Sequence, residues 1–198
     1  MSRTELYTIR KRDGRLQSCG DANNAWRGAM HIWETLEKKY LPSLPLQESD
    51  IMRSNTYRSR FMPFTPKEEK NKVWELERDP RLTWQERIVL STTYDYAVIF
   101  YEDLPEVADA YEQVDFSTEN MKKQAEIMRE VYGDGKKKDI GGVYKLETSV
   151  CSLGDFATQK RSGYCYVNEN FYNVMGYLRD MKSVNYDWEA YKKLTENG

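Results

Sequence analysis

The chain has 198 residues, which is long enough to bury the core of one domain, and its formal net charge of −2 excludes a polycation that coats nucleic acid nonspecifically. Hydrophobic residues make up 39% of the chain and aromatic residues 13%, so large amphipathic rings are expected to supply much of the core. No run approaches the roughly 20 apolar residues that span a bilayer, and residues 1–15 lack the apolar stretch of a secretory signal.

The first third of the chain predicts a hairpin, a helix and a connector. Asp13 and Gly14 lie between two apolar stretches, and this pair favours the tight turn of a β-hairpin. Apolar residues recur at helical spacing between Trp26 and Tyr40, which predicts a helix that buries one face. Prolines within residues 41–65 then predict an irregular connector.

The middle of the chain predicts four helices. Thr65-Pro66-Lys67-Glu68 has the pattern of a capping box and predicts a helix to about residue 78. Thr83-Trp84-Gln85-Glu86 repeats the pattern and predicts a helix to about residue 102, apolar on more than one side, as in the centre of a bundle. A short helix is expected to begin at Pro105, and a further helix capped by Ser117 is expected to end at Gly133.

The last third predicts small β elements and two more helices. Residues 133–138 have the composition of a solvated loop, residues 143–151 and 163–167 have that of strands, and two amphipathic helices follow within residues 171–194. The predicted fold class is therefore α+β and predominantly helical, with a helical core, a small N-terminal β-hairpin and short C-terminal strands. We expect one domain over residues 1–198, with sub-regions 1–62, 63–133 and 134–198.

Acidic residues are concentrated in the middle sub-region, where nine Lys or Arg face sixteen Asp or Glu for a net charge of −7. No cation occurs between Arg87 and Lys122, while eight acids do: Asp95, Glu102, Asp103, Glu106, Asp109, Glu112, Asp115 and Glu119. Three of them recur every third residue, so they are expected to line the outer side of one helix. This pattern predicts an acidic surface without internal cations, and the alternative is a solvated helix neutralised by Arg or Lys from elsewhere in the fold.

The predicted function follows from that surface and from the lack of a catalytic motif. We expect a non-catalytic binding or inhibitor protein, without a cofactor, whose acidic helical face occupies the basic groove of a partner that binds nucleic acid. Anti-CRISPR and other anti-defence inhibitors of phages and mobile elements are the specific class that such a mimic of nucleic acid would fit. Three cysteines without the close spacing of a disulfide scaffold predict reduced thiols, and hence a cytoplasmic protein.

Two other functions remain open. Glu34-x-x-Glu37 and Glu106-x-x-Asp109 each place two acids on one helical face, as in all-helical Mg²⁺-dependent nucleotide hydrolases. Direct nucleic-acid binding is the other function, because cations and aromatic rings mix near the hairpin turn and in the connector. The residues predicted for it are Arg10, Lys11, Arg12, Arg15, Arg53, Arg58 and Arg60.

Cysteine and histidine residues give weak signals for a site. Cys19, His31, Cys151 and Cys165 make up the count of a Cys₃His zinc site, but they lack the close pairs that such sites use. A nucleophilic site would have to use His31, and neither of the later cysteines lies in a catalytic signature. We therefore predict no metal site and no catalytic residue, and a structural role for the histidine.

Overall fold

Helices dominate the described part of the chain, as the sequence predicts. The structure is a computed structural model that describes residues 3–9, 15–23, 25–62, 64–94, 97–138, 143–146, 157–159, 165–167 and 172–183. The helices are α1 Ala25–Tyr40, α2 Glu48–Met52, α3 Lys67–Glu75, α4 Trp84–Ser91, α5 Leu104–Gln113, α6 Glu119–Lys138 and α7 Val174–Ser183. Single turns of 3₁₀-helix cover Leu76–Arg78 and Tyr101–Asp103.

Strands from both ends of the described chain form one sheet. They are β1 Arg3–Ile9, β2 Leu16–Asn23, β3 Ala97–Phe100, β4 Val143–Leu146 and β7 Tyr172–Asn173, and their order in the sheet is β2-β1-β4-β3-β7. Every pairing is antiparallel except that of β3 with β7, which is parallel. The strands β5 Ala157–Gln159 and β6 Cys165–Val167 pair separately as an antiparallel ribbon. The predominantly helical α+β class is therefore confirmed.

A bulge in the predicted hairpin lets α6 approach the sheet. Leu6 pairs with Gly20 and Tyr7 with Ser18, so Cys19 is an extra residue on β2. Gly20 adopts φ +151, and a Cβ atom there would lie 3.3 Å from the side chain of Ile127 on α6. The backbone angle favours glycine, and the contact with Ile127 leaves little room for a larger side chain.

The core lies where α1, α4, α5 and α6 meet and pack with α7 and β3. Fully buried apolar side chains come from each of these elements: Leu36, Ile88, Leu90, Ile99, Leu104, Val107, Tyr111, Met121, Met128 and Leu178. Leu36 belongs to the apolar stripe that predicts α1, and the helical spacing of that stripe explains why one face of the helix is buried. Burial of these side chains is the main stabilising contribution to the fold.

One predicted helix is wrong in its second half. α4 ends at Ser91, and residues 97–100 form the strand β3 at the interior of the sheet. Val98 and Ile99 are β-branched, and they are buried on opposite sides of the strand. Because the segment is apolar on both sides, the spacing of its hydrophobic residues cannot distinguish a strand from a helix.

Helix ends were predicted with mixed success. The capping box at Thr83 is confirmed, since its hydroxyl accepts from the backbone N–H of Glu86 at 3.2 Å while the carboxylate of Glu86 accepts from the N–H of Thr83 at 2.9 Å. The predicted box at Thr65 is wrong, because α3 begins after Pro66 and the Thr65 hydroxyl makes no hydrogen bond. The predicted loop at residues 133–138 is also wrong, since α6 continues to Lys138.

The other predicted elements agree with the structure wherever it describes them, except that Thr118 and not Ser117 caps α6. The hairpin strands, α1, α3, α5 and α7 are confirmed, and short strands occur within the two predicted β segments. The connector is irregular apart from α2. The hairpin turn and the helix predicted near residue 190 lie outside the described residues. Among the residues that are described, no helix combines the length and apolar composition needed to cross a bilayer.

Candidate binding face on α5

The sequence of α5 divides the helix into an apolar side and an acidic side. Pro105 occupies its first turn, and Val107, Ala108, Ala110 and Tyr111 are buried against the neighbouring helices. The outer side, continued by the preceding 3₁₀ turn, carries five acids that we call the α5 face: Glu102, Asp103, Glu106, Asp109 and Glu112. The spacing of three residues places Glu106, Asp109 and Glu112 along the outer side of the helix, while Asp103 in the preceding turn is 7% exposed.

An arginine from α6 binds one edge of the α5 face. The Nη2 atom of Arg129 lies 2.6 Å from Oδ1 of Asp109 and 2.9 Å from Oε2 of Glu112, and its Nη1 atom also donates to Glu112. Hydrogen bonds with these two carboxylates raise the pKa of Arg129. A single guanidinium therefore bridges two acids one helical turn apart.

An arginine from α7 binds the other edge in the same way. The Nη1 atom of Arg179 lies 2.7 Å from Oδ1 of Asp103, and its Nη2 atom lies 2.6 Å from Oε2 of Glu106. Glu106 also accepts a hydrogen bond from the indole N–H of Trp84 at 2.8 Å. The hydrogen bonds that Arg179 donates to Asp103 and Glu106 raise its pKa, because the carboxylates favour its charged form.

The remaining acids of the predicted surface lie beyond α5. Asp115 accepts from Nζ of Lys39 at 3.0 Å, and the same ammonium binds Glu86 at 2.7 Å, so both carboxylates raise the pKa of Lys39. Glu119 pairs with Lys122 on its own helix at 2.8 Å. Asp95 lies outside the described residues.

The expectation that this acidic surface lacks internal cations is wrong. Arg129 on α6 and Arg179 on α7 lie outside the cation-free stretch of the sequence, and the fold brings them to the two edges of α5. Each arginine nevertheless serves two carboxylates, so Asp103, Glu106, Asp109 and Glu112 together retain an excess of two negative charges over these two cations. The face is thus partly neutralised, and its outer carboxylates stay in contact with solvent.

Two of the connector arginines predicted to bind nucleic acid are buried instead. Arg58 is 7% exposed and pairs with Asp50 at 2.9 Å, while Arg60 is 2% exposed and pairs with Glu37 at 2.8 Å. Neither guanidinium can reach a phosphate, so that part of the prediction is wrong. Arg15 and Arg53 are exposed, and residues 10–12 lie outside the described part of the chain.

Glu37 and Arg60 form the centre of a buried polar network that the sequence patterns do not predict. Arg60 also donates from Nε to Glu69 at 3.1 Å and from Nη2 to the carbonyl oxygen of Pro42 at 2.8 Å. Its backbone N–H adds a hydrogen bond to Glu37 at 3.0 Å. The signal in the sequence is that Glu37 falls within the apolar stripe of α1, where a charged residue requires a buried partner.

Three of the four acids predicted to bind Mg²⁺ are engaged by cations of the chain itself. Glu37 holds Arg60, and Glu106 and Asp109 hold Arg179 and Arg129 respectively. Within the described residues, no group of three or more His, Cys, Asp or Glu side chains is placed to hold a metal ion. The geometry does not bring the two predicted pairs together as a metal site.

The histidine has the structural role that its isolation predicts. The Nε2 atom of His31 lies 3.0 Å from the carbonyl oxygen of Phe116, so Nε2 must carry the proton and donate it. The thiol of Cys19 is half-buried, and burial raises its pKa to about 11. Cys151 lies outside the described residues and only the backbone of Cys165 is described, so a zinc site that joins them stays untested.

Comparison of this chain with protein-family models, with curated proteins and with solved structures finds no match. Its function is therefore inferred from the chemistry of its own surfaces. The α5 face is the starting point, because it lies in the stretch of the sequence that holds eight acids and no cation.

Proposed function

We propose that this chain is a non-catalytic binding protein that places its α5 face on a basic surface of a partner that processes nucleic acid. The single observation that supports the proposal is the excess of carboxylates on this face, where Asp103, Glu106, Asp109 and Glu112 share the two guanidinium groups of Arg129 and Arg179. Carboxylates accept up to four hydrogen bonds each, so these acids retain acceptor positions for cations of a partner.

The spacing of the acids supports a resemblance to a nucleic-acid backbone. Consecutive carboxylates of Asp103, Glu106, Asp109 and Glu112 are three residues apart, which is about 4.5 Å along the axis of a helix. One strand of B-DNA carries one phosphate per ~3.4 Å of its axis. Arg129 and Arg179 halve the net charge density of this row, so a partner must share the carboxylates with them or displace them.

Displacement of Arg129 costs little free energy, whereas Arg179 is held more firmly because it also pairs with Asp103, whose side chain is 10% exposed. Arg129 and Glu112 are 39% and 38% exposed, and Arg179 and Glu106 are 48% and 42% exposed. Ion pairs this exposed contribute about 0–1 kcal/mol each, because water and salt screen them. Two or three cations of a desolvated basic groove would bind the same carboxylates more strongly, since a lower dielectric strengthens the attraction.

The biological role we propose is inhibition of nucleic-acid machinery in the cytoplasm. A protein that occupies a DNA- or RNA-binding groove prevents the natural ligand from entering it, and phages and mobile elements use such anti-defence inhibitors, of the anti-CRISPR kind, against their hosts. The partner would be an enzyme or complex with a groove rich in Lys and Arg, and the association would weaken as the salt concentration rises.

A competition assay tests the proposal. A panel of CRISPR effector complexes and restriction nucleases is incubated with a fluorescent DNA ligand, and the purified chain is titrated in at 50 and 200 mM salt. We expect displacement of DNA from at least one partner, with an affinity at least tenfold weaker at the higher salt. The double substitution Asp109→Asn with Glu112→Gln should lower that affinity by at least tenfold, because it removes two charges from the α5 face.

The matched control removes the same number of charges elsewhere. Glu68 and Glu75 are exposed on α3, and their substitution by Gln changes the net charge equally while it leaves α5 intact. The control variant should displace DNA as well as the parent chain does. Equal loss in both variants would show a nonspecific charge effect, and absence of displacement across the panel would reject the proposal.

A further inference from the structure

Glu77 is a buried carboxyl group that links three elements away from the α5 face. It lies in the 3₁₀ turn Leu76–Arg78, its side chain is 5% exposed, and its Oε1 atom makes no hydrogen bond within the described residues. Its carboxyl group does interact with two hydroxyls, that of Tyr94 after α4 and that of Tyr177 on α7. The group therefore lies at the junction of the 3₁₀ turn, the α4–β3 turn and α7.

Arg87 and Arg81, two cations near this junction, make hydrogen bonds with backbone carbonyl oxygens and with Asp79. From α4, Arg87 donates from Nη1 to the carbonyl oxygen of Glu77 at 2.6 Å and from Nη2 to that of Asp79 at 2.8 Å. The Asp79 carboxylate is turned to Arg81, with Nη2 and Oδ2 2.6 Å apart. Arg78, next to Glu77 in the chain, is exposed, as is Asp180 one turn beyond Tyr177 on α7. Charge from Arg78 and Arg87 offsets only part of the desolvation of Glu77, whose pKa is raised by burial.

The hydrogen bonds available to the Tyr94 hydroxyl favour a protonated Glu77 in the folded chain. The hydroxyl of Tyr94 lies 3.2 Å from the carbonyl oxygen of Trp74, to which it donates. A tyrosine has one hydroxyl proton, so it cannot fully serve both Trp74 and an ionised Glu77, which only accepts. A protonated Glu77 can donate to Tyr94, which leaves the Tyr94 proton for Trp74. A neutral carboxyl also lowers the cost of its unpaired oxygen, because burying an unpaired polar atom costs less than burying an unpaired charge.

We propose that Glu77 is a proton-dependent lock that holds α7 against the 3₁₀ turn, closed while the carboxyl is protonated and weakened once it ionises. The group is easier to protonate in the folded chain than in the unfolded one, so its contribution is present at low pH and is lost as the pH rises through its folded-state pKa. The inner side of α7 stays apolar, with Val174, Met175 and Leu178 buried. Ionisation therefore increases local opening of α7 rather than unfolding the whole chain.

Hydrogen exchange of α7 amides tests the lock. Exchange is measured by mass spectrometry on the full chain between pH 5 and 9 and is corrected for the intrinsic pH dependence of amide exchange. Protection of α7 should fall by up to tenfold per pH unit between the ordinary pKa that Glu77 has when exposed and its raised folded-state pKa, and should level off above the latter, while protection of α5 should change much less. The variant Glu77→Gln keeps the shape, can donate to Tyr94 and cannot ionise, so its α7 protection should not depend on pH.

Two further variants complete the test. Glu75→Gln removes an exposed carboxyl two residues away and should keep the parent profile. Tyr177→Phe removes a hydroxyl that favours the ionised carboxyl, so it should shift the fall in protection to higher pH even if Glu77→Gln does not fold. A parent chain whose α7 protection is independent of pH would overturn the proposal. An unchanged pH dependence in Glu77→Gln, or an unchanged midpoint in Tyr177→Phe, would overturn it as well.

Discussion

Removal of the buried guanidinium of Arg60 should destabilise the chain strongly. Arg60→Met leaves a side chain of similar length, but it deprives the buried carboxylate of Glu37 of its ion-pair partner. Breaking a buried pair from one side costs about 3–5 kcal/mol of unfolding free energy, since the other charge stays buried. Glu37 keeps the backbone N–H of residue 60 at 3.0 Å, and Glu69 keeps Lys72 at 2.7 Å, so we expect a loss of about 3 kcal/mol, at the lower end of that range.

Urea unfolding followed by tryptophan fluorescence measures this loss. Trp33 and Trp74 pack against Phe61, next to Arg60, and their emission reports on this part of the fold. Adding Glu37→Gln to Arg60→Met should restore about 1–2 kcal/mol, because it removes the stranded charge. The control Arg53→Met removes an exposed arginine of the same connector and should change stability by less than about 0.5 kcal/mol. A loss below about 1 kcal/mol for Arg60→Met, or a double variant no more stable than the single one, would refute the role assigned to this pair.

Two further outcomes follow from local contacts. Thr83→Ala removes the cap hydroxyl of α4, so it should lower the free energy of unfolding by about 1 kcal/mol and the melting temperature in calorimetry by roughly 2–4 °C. An unchanged melting temperature would contradict the capping role. Burial raises the pKa of the Cys19 thiol to about 11, which lowers the fraction of reactive thiolate. Iodoacetamide at pH 8 should therefore modify Cys19 about a hundredfold more slowly in the folded chain than in the urea-unfolded chain. Equal rates in site-resolved mass spectrometry would rule out the raised pKa.

Local signals in the sequence predict most of the elements and few of their contacts. The Thr83 capping box predicts the start of α4 because both of its hydrogen bonds lie within four residues. The end of that helix is missed because the partners that make residues 97–100 a strand lie more than 40 residues later, on β4 and β7. Hydrophobic periodicity carries no information about such distant pairing when a segment is apolar on every side.

The charge of the candidate face shows the same limit. A stretch without cations suggests unpaired acids, yet Arg129 and Arg179 reach α5 from 17 residues beyond Glu112 and 73 residues beyond Glu106. The arginines of the connector were misassigned for a related reason, since only the position of Glu37 on the inner side of α1 indicates that Arg60 is buried. Whether a charged residue is buried depends on tertiary contacts. A single sequence indicates such burial only where a charged residue interrupts the apolar stripe of a helix.

The order of strands in the sheet has a consequence for how the chain folds as it leaves the ribosome. β1 is synthesised first, but its partner β4 follows more than 130 residues later, and β3 must wait for β4 and β7. Such separations give the sheet a high contact order, so its closure is expected to be slow and to follow formation of the helices. Until Tyr172 and Asn173 emerge, one edge of β3 is without its strand, and nascent chains would be most prone to aggregate during that interval.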